Sequence, residues 1–328
     1  MKAMNEREVP LEKQNIQNNN FQQQPNSNFN TTGKIDWRGN MARGAAIACR
    51  KGISICQETD LSDLGLKVEI MQYDELPGIL SAGGAQKLWF MQQENVKCRQ
   101  PVIYIYNSGV KIEAGAMSYF QGPLQMTTGI QTLGKAISQM FTSKLTAERF
   151  AMPEYRGTGV LVLEPSFKHY FLMRLEQGES LIGDKGIFYA ASLGVQIQPV
   201  FAGTATGSLM GGEGIFQQQI TGPGFALLEI PVPFTELAEI ELNNDILRVD
   251  GNFVVMREGS IQMSVERSSK TLVGSAVSGE GLVNVYRGTG KLWIAPSLKI
   301  YEAMDLAGYG SLTRVNMNTS TGHNTVNN

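Results

Sequence analysis

Apolar residues come in short runs along this chain, and glycine or proline closes most of them. Val160 to Leu163 stops at Glu164-Pro165, and Leu292 to Ala295 stops at Pro296. Proline removes a ladder donor, so each run predicts a strand that ends or reaches an edge there. Leu66-Lys67-Val68-Glu69-Ile70 alternates cleanly and predicts a strand buried on one face only. Leu88-Trp89-Phe90-Met91 and Val102-Ile103-Tyr104-Ile105-Tyr106 predict the next two strands, with turns at Pro77-Gly78 and Ser81-Ala82-Gly83-Gly84. Ala45 to Cys49 and Ile53 to Cys56 flank Arg50-Lys51-Gly52 and predict a hairpin. Only Ile130, Leu133, Ile137 and Met140 show helical spacing, which predicts one short helix near 130–141.

A longer period overlies these runs. Tyr155-Arg156-Gly157-Thr158-Gly159, with Pro165-Ser166 and Tyr170, returns as Tyr286-Arg287-Gly288-Thr289-Gly290, with Pro296-Ser297 and Tyr301. The two stretches agree at 10 of 16 positions. A looser copy, Thr221-Gly222-Pro223-Gly224, lies between them. The leading glycines stand at 157, 222 and 288, in steps of 65 and 66 residues. A second signature keeps the same phase: an acidic residue two places before Gly or Asn, at Glu113, Asp184 and Asp250. A third is a glutamate two places before an apolar residue, at Glu148, Glu213 and Glu280. A fixed period of this size means one supersecondary unit used several times.

The expected fold is therefore all-β: three pseudo-symmetric units of about 66 residues turning alike around a common core. Leu161, Leu163, Leu292 and Ile294 are expected to point inward. The six glycines at 157, 159, 222, 224, 288 and 290 are read as corners, where one strand runs in and another leaves. Glycine reaches positive φ without a Cβ clash and lets backbones approach closely. The expected domain plan is a disordered Asn/Gln-rich tail over 1–33 and a linker with a β-hairpin over 34–63. A three-unit domain over 64–312 and a disordered tail over 313–328 complete it.

Composition narrows the class. Of 328 residues 42% are hydrophobic, glycine numbers 36 and the net charge is −2, so nothing marks a nucleic-acid footprint. Three cysteines form no CxxC pair, and the N-terminal stretch lacks the apolar core of a signal peptide. A reducing cytoplasm is the expected setting, with no transmembrane segment.

Candidate chemistry is sparse. Arg156 and Arg287 sit at equivalent corners and are candidates for holding an anionic ligand; capping a neighbouring strand or pairing with the repeated glutamates are the alternatives. Gly129 to Lys135 has the first seven positions of a phosphate-binding loop, but Ala136 stands where a Ser or Thr would bind magnesium. The two histidines are His169 and His323, and Ile300 fills the place of His169 in the last copy. No catalytic residue, metal site or cofactor is assigned.

With its signatures in this order, the chain resembles the altered-inheritance-of-mitochondria 24 family, also called the mitochondrial biogenesis family. The residues that carry the resemblance are Val110 to Met117, Tyr155 to Gly159, Gly211 to Phe216 and Thr221 to Gly224, and it covers roughly 65–312. It implies three similar sheets set as a triangular β-prism, akin to fused units of the tryptophan RNA-binding attenuation protein. It implies no catalytic residues. The function expected is a non-enzymatic scaffold or interaction protein, with a protein partner or self-association. The alternatives are a small-ligand or RNA-binding module using grooves between units, and a cupin-like enzyme with an unrecognised site.

Overall fold

The structure, a computed structural model, describes residues 2–3, 52–127, 152–184, 186–201, 216–267 and 282–301. Contacts divide the chain into two compact units. One holds Met1–Glu179, Gly186–Gln198 and Ile220–Ile230; the other holds Ser180–Lys185, Pro199–Gln219 and Pro231–Asn328. The expected all-β class holds: the described residues form two antiparallel sheets and one α-helix.

The first unit contains a ten-stranded sheet. Its strands, numbered along the chain, are β1 (Lys2–Ala3), β2 (Ile53–Leu61), β3 (Leu66–Tyr73), β4 (Cys98–Ile112) and β5 (Met117–Gln121). They continue with β6 (Leu124–Thr127), β7 (Glu154–Leu163), β8 (His169–Leu175), β10 (Phe188–Ser192) and β13 (Gly224–Ile230). The order is β1-β8-β13-β10-β4-β3-β2, and β7 adds to β4 and carries β5 and β6. Leu66, Val68, Ile103, Ile105, Leu161 and Leu163 are among the residues of its main core. Met71, Val102, Tyr104, Val160 and Val162 form a second apolar cluster. Successive side chains of a strand point to opposite faces, so the middle of this sheet is covered on both sides.

That double cover corrects the half-buried reading of β3, whose first six residues are all buried. Lys67 and Glu69 are the polar residues caught inside. Lys67 Nζ lies 2.7 Å from Glu69 and 2.8 Å from Glu58, and the Tyr104 hydroxyl donates to Glu69 at 2.8 Å. Burial alone would lower the lysine pKa, but hydrogen bonds to Glu58 and Glu69 outweigh it and the net shift is upward. Alternation along β3 marks two faces but does not say whether the polar one meets water.

Two other expectations are corrected. Leu88 to Met91 belong to a helix, α1 (Ala82–Gln93), not a strand, and none of its residues is buried. Ser81 caps it by accepting from the Gly84 amide at 3.1 Å, so the expected turn at Ser81 to Gly84 is the first helical turn. The strand expected at Ile53 to Cys56 runs on to Leu61 and pairs with β3 along its length. Its polar stretch Gln57 to Asp60 is held by that ladder, with Glu58 also paired to Lys67. Lys2–Ala3 pairs with Met173 and Arg174 of β8.

A seven-stranded sheet, most of it in the second unit, consists of β9 (Ser180–Asp184), β11 (Gln196–Phe201), β12 (Phe216–Thr221), β14 (Ala238–Val249), β15 (Val254–Glu258), β16 (Gln262–Arg267) and β17 (Leu282–Ile294). Its order is β11-β12-β9-β15-β17-β14, with β16 added to β17. Leu242, Val249, Val254, Ile261, Tyr286 and Leu292 form its core, with Ile294 packed against it. Arg257 is also buried; its guanidinium donates to Ile261 O and to Gln217 Oε1, both at 3.0 Å.

The first hairpin arm at 45–49, the helix near 130–141, the phosphate-loop-like stretch, Glu148, Glu213, Glu280 and the tail 313–328 all lie outside the described residues.

Candidate functional site

Gly157 and Gly159 lie inside β7, and Gly288 and Gly290 lie inside β17. At these two places the corner reading is corrected: one strand runs through the Gly-Thr-Gly, and the irregularity is opposite. The β4–β7 ladder shifts register between Ile105 and Ser108, and the β14–β17 ladder shifts between Leu242 and Asp245. The extra residues of each bulge include an asparagine in the left-handed region, Asn107 at φ 46 and Asn244 at φ 52. Each donates its amide to the threonine between the glycines, at 3.0 Å to Thr158 and 2.9 Å to Thr289.

Gly157 has φ +131 and Gly288 φ +140, where a side chain is strained. A Cβ at Gly157 would also run into the backbone oxygen of Pro123. The middle copy differs. Gly222 and Pro223 separate β12 from β13 through a cis peptide, and Gly224 opens β13.

Both candidate arginines are occupied by carboxylates of their own unit. Arg156 pairs with Glu154 at 2.8 Å, and Arg287 pairs with Glu266 at 2.6 Å and donates to Ser264 at 2.9 Å. The repeated Pro-Ser…Tyr signature is occupied in the same manner. Ser166 donates to Glu229 at 2.7 Å, Lys168 pairs with the same carboxylate at 2.7 Å, and the Tyr170 hydroxyl lies 3.0 Å from Ser166. In the other unit Ser297 and Tyr301 both donate to Glu236, at 2.8 and 2.9 Å. Burial first, and the charge of Glu229 in addition, push the Tyr170 phenol up to about 12. Burial likewise raises Tyr189, whose hydroxyl donates to Glu164 O at 2.8 Å. These hydroxyls hold protons firmly at neutral pH and are poorly suited to proton transfer.

His169 Nδ1 lies 3.3 Å from Arg99, so its ring faces a cation. Among the described residues no cluster of three His, Cys, Asp or Glu is placed to hold a metal. Cys98 is buried, and its thiol is pushed up by burial.

A cleft of about 290 Å3 lies in the first unit. Ser108, Arg174, Glu176, Ser192, Gly194 and Gly224 contribute to its walls. It sits beside the β4 bulge and the Pro223 turn, and Leu64, Leu175 and Leu193 supply its apolar walls. Arg174 at its rim is hydrogen bonded to Asp63, and that bond holds the Asp63 carboxyl below its usual value. Sequence reasoning missed both this ion pair and the carboxylates that hold the Ser–Tyr pairs. Glu229 is 63 residues from Ser166, and Asp63 is 111 from Arg174. No local spacing signals them.

Among the described residues no helix is long and apolar enough to cross a membrane. No curated protein matches the chain. Among solved structures, it is similar to a Streptococcus pyogenes protein from a structural-genomics crystal structure. That likeness has 19% identity and a TM-score of 0.45, over 64% of this chain and 94% of that one. The family described as Mitochondrial biogenesis AIM24 matches residues 105–297, more than half of the chain, and the chain belongs to that family.

Proposed function

We propose that this chain is a non-enzymatic β scaffold of the cytoplasm, an interaction protein built from three copies of one four-strand unit. The observation that carries the reading is the use made of the repeated polar residues. Ser166 and Tyr170 converge near Glu229, and Ser297 and Tyr301 converge on Glu236. Arg156 and Arg287 are likewise taken up by Glu154 and Glu266. A group that spends its hydrogen bonds on its own fold is organised for stability rather than for turnover. Strand layout supports the unit: β4-β5-β6-β7 and β14-β15-β16-β17 each have two middle strands paired onto the last.

The test is cross-linking mass spectrometry of the protein in its own cells, with elemental analysis of the purified chain. Recurrent cross-links to protein neighbours, the chain itself included, are expected. A chain cross-linked to nothing, carrying a stoichiometric metal, would overturn the reading.

A second reading, small-ligand binding, is favoured by the cleft at Ser108, Arg174 and Ser192. An anionic ligand there competes with Asp63 for Arg174. A panel of small organic carboxylates in a thermal-shift assay tests it: a rise in melting temperature that Arg174→Ala abolishes supports this reading, and no rise removes it.

A further inference from the structure

The cleft beside the β4 bulge is walled wholly by residues of the first unit. At about 290 Å3 it stands at the small end of ligand clefts, which run from roughly 300 to 1,000 Å3. That suits a single small metabolite. Its apolar part is aliphatic, from Leu64, Leu175 and Leu193, and no aromatic ring is among its lining residues.

Three polar side chains on these walls have hydrogen-bonding capacity that the fold leaves unused. Arg174, near the end of β8, carries five guanidinium N–H donors, and among the described residues its one side-chain partner is Asp63, reached through Nη2. Asp63 first, and the charge of Glu176 in addition, hold the guanidinium proton more firmly than usual, which sets Glu176 close to Arg174. The carboxylate of Glu176 has no hydrogen bond or ion pair among the described residues. Ser192, which ends β10, is only 5% exposed and accepts from the Phe225 amide at 3.1 Å. Its own hydroxyl proton has no acceptor among the described residues, which is uncommon for a buried donor. Ser108 differs, because its hydroxyl donates to Leu64 O at 2.6 Å.

The signs of these groups select a ligand. Arg174 and Ser192 offer donors, which a carboxylate takes. Glu176 offers an acceptor with a full negative charge, which an ammonium group takes. Arg174 and Glu176 are two residues apart, the spacing that puts side chains of an extended chain on one face. A simple carboxylate satisfies the donors but meets Glu176 as a like charge, and a simple amine satisfies Glu176 but meets Arg174 as one. A molecule with both charges at one end and an aliphatic body at the other uses every wall.

We propose that this cleft binds a free aliphatic α-amino acid. Its carboxylate is held by Arg174 and Ser192, its ammonium group by Glu176, and its side chain lies against Leu64, Leu175 and Leu193. This rests on the small-ligand reading of the cleft and names the class of ligand.

The experiment is calorimetric titration of the full-length protein with three probes: L-leucine, isocaproate, which lacks the ammonium group, and isoamylamine, which lacks the carboxylate. Leucine is expected to bind at least about tenfold more tightly than either, the effect of one hydrogen bond to a charged group. Glu176→Gln changes an exposed position. It is expected to weaken leucine about tenfold and to leave isocaproate no weaker. Isocaproate binding to the wild type as tightly as leucine overturns the proposal and leaves the small-ligand reading in place. Leucine affinity unchanged in Glu176→Gln overturns it as well. Absence of binding by all three probes also overturns it, while the carboxylate panel with Arg174→Ala decides the wider reading on its own.

Discussion

The backbone amide of Asn107 donates to the hydroxyl of Thr158 at 3.0 Å, across a bulge that breaks the β4–β7 ladder. Asn244 and Thr289 make the same bond at 2.9 Å in the other unit. Both asparagines hold positive φ, which asparagine and glycine tolerate and branched residues do not. Asn107→Gly is therefore expected to keep the fold within about 0.5 kcal/mol, and Asn107→Val to lose about 1–2 kcal/mol. Urea denaturation of both variants checks this; equal stability of the two would show that the left-handed bulge is not needed.

Gly157 makes a sharper demand. Its φ of +131 and the nearby Pro123 carbonyl leave no room for a methyl group. Gly157→Ala is expected to cost about 3 kcal/mol or more, because rigid backbone must move to admit it. Gly115, with φ +87 and open space around it, is expected to lose only about 1 kcal/mol on the same change. Thermal melts of the two variants compare them directly.

Lys67 and Glu69 are buried together; Lys67 also reaches Glu58, so it is removal of the lysine that leaves a buried carboxylate without its cation. Lys67→Met is expected to cost about 3–5 kcal/mol, and Lys67→Met/Glu69→Leu to recover much of that loss. Chemical denaturation of the single and double variants measures the recovery. A double variant as unstable as the single one would contradict the pairing.

Tyr170 titrates at about 12, above the usual tyrosine value near 10, with burial as the main cause. A folded pKa above the unfolded one gives stability that is fully present below about 10 and is lost as pH rises through about 12. The rise from about 10 to about 12 is equivalent to roughly 3 kcal/mol at most. Stability of the wild type is thus expected to fall between pH 10 and 12 more steeply than that of Tyr170→Phe. Phenolate absorbance should show Tyr170, with Tyr189 and Tyr286, ionising late. A Tyr170 signal at the ordinary value would refute the buried placement.

Sequence and structure agree where the signal is local. Pro165 and Pro296 end β7 and β17 where expected, and Leu161, Leu163 and Leu292 are buried. Leu88 to Met91 misled because an unbroken apolar run has no period of its own, and the Ser81 cap that settles it looks like a turn. Ile53 to Cys56 of β2 was legible as a strand, but its continuation to Leu61 was hidden because those residues are mostly polar while the ladder to β3 is a backbone property. The carboxylates Glu229 and Glu236 were invisible for a different reason. They reach Ser166 and Ser297 across more than 60 residues, a distance only the fold closes. Arg156 and Arg287 looked available for a ligand because Glu154 and Glu266 carry no mark that distinguishes a partner from a neighbour.

The proposal that one β unit recurs along this chain is tested most directly by amide hydrogen exchange at Asn107 and Asn244. Both amides are expected to be protected in the wild type. Thr158→Val should release Asn107 alone, and Thr289→Val should release Asn244 alone, each losing about 1 kcal/mol of protection, or roughly fivefold in exchange rate. Exchange at the free-peptide rate for one asparagine in the wild type, with the other protected, would mean that the two Gly-Thr-Gly segments are built differently and would contradict it.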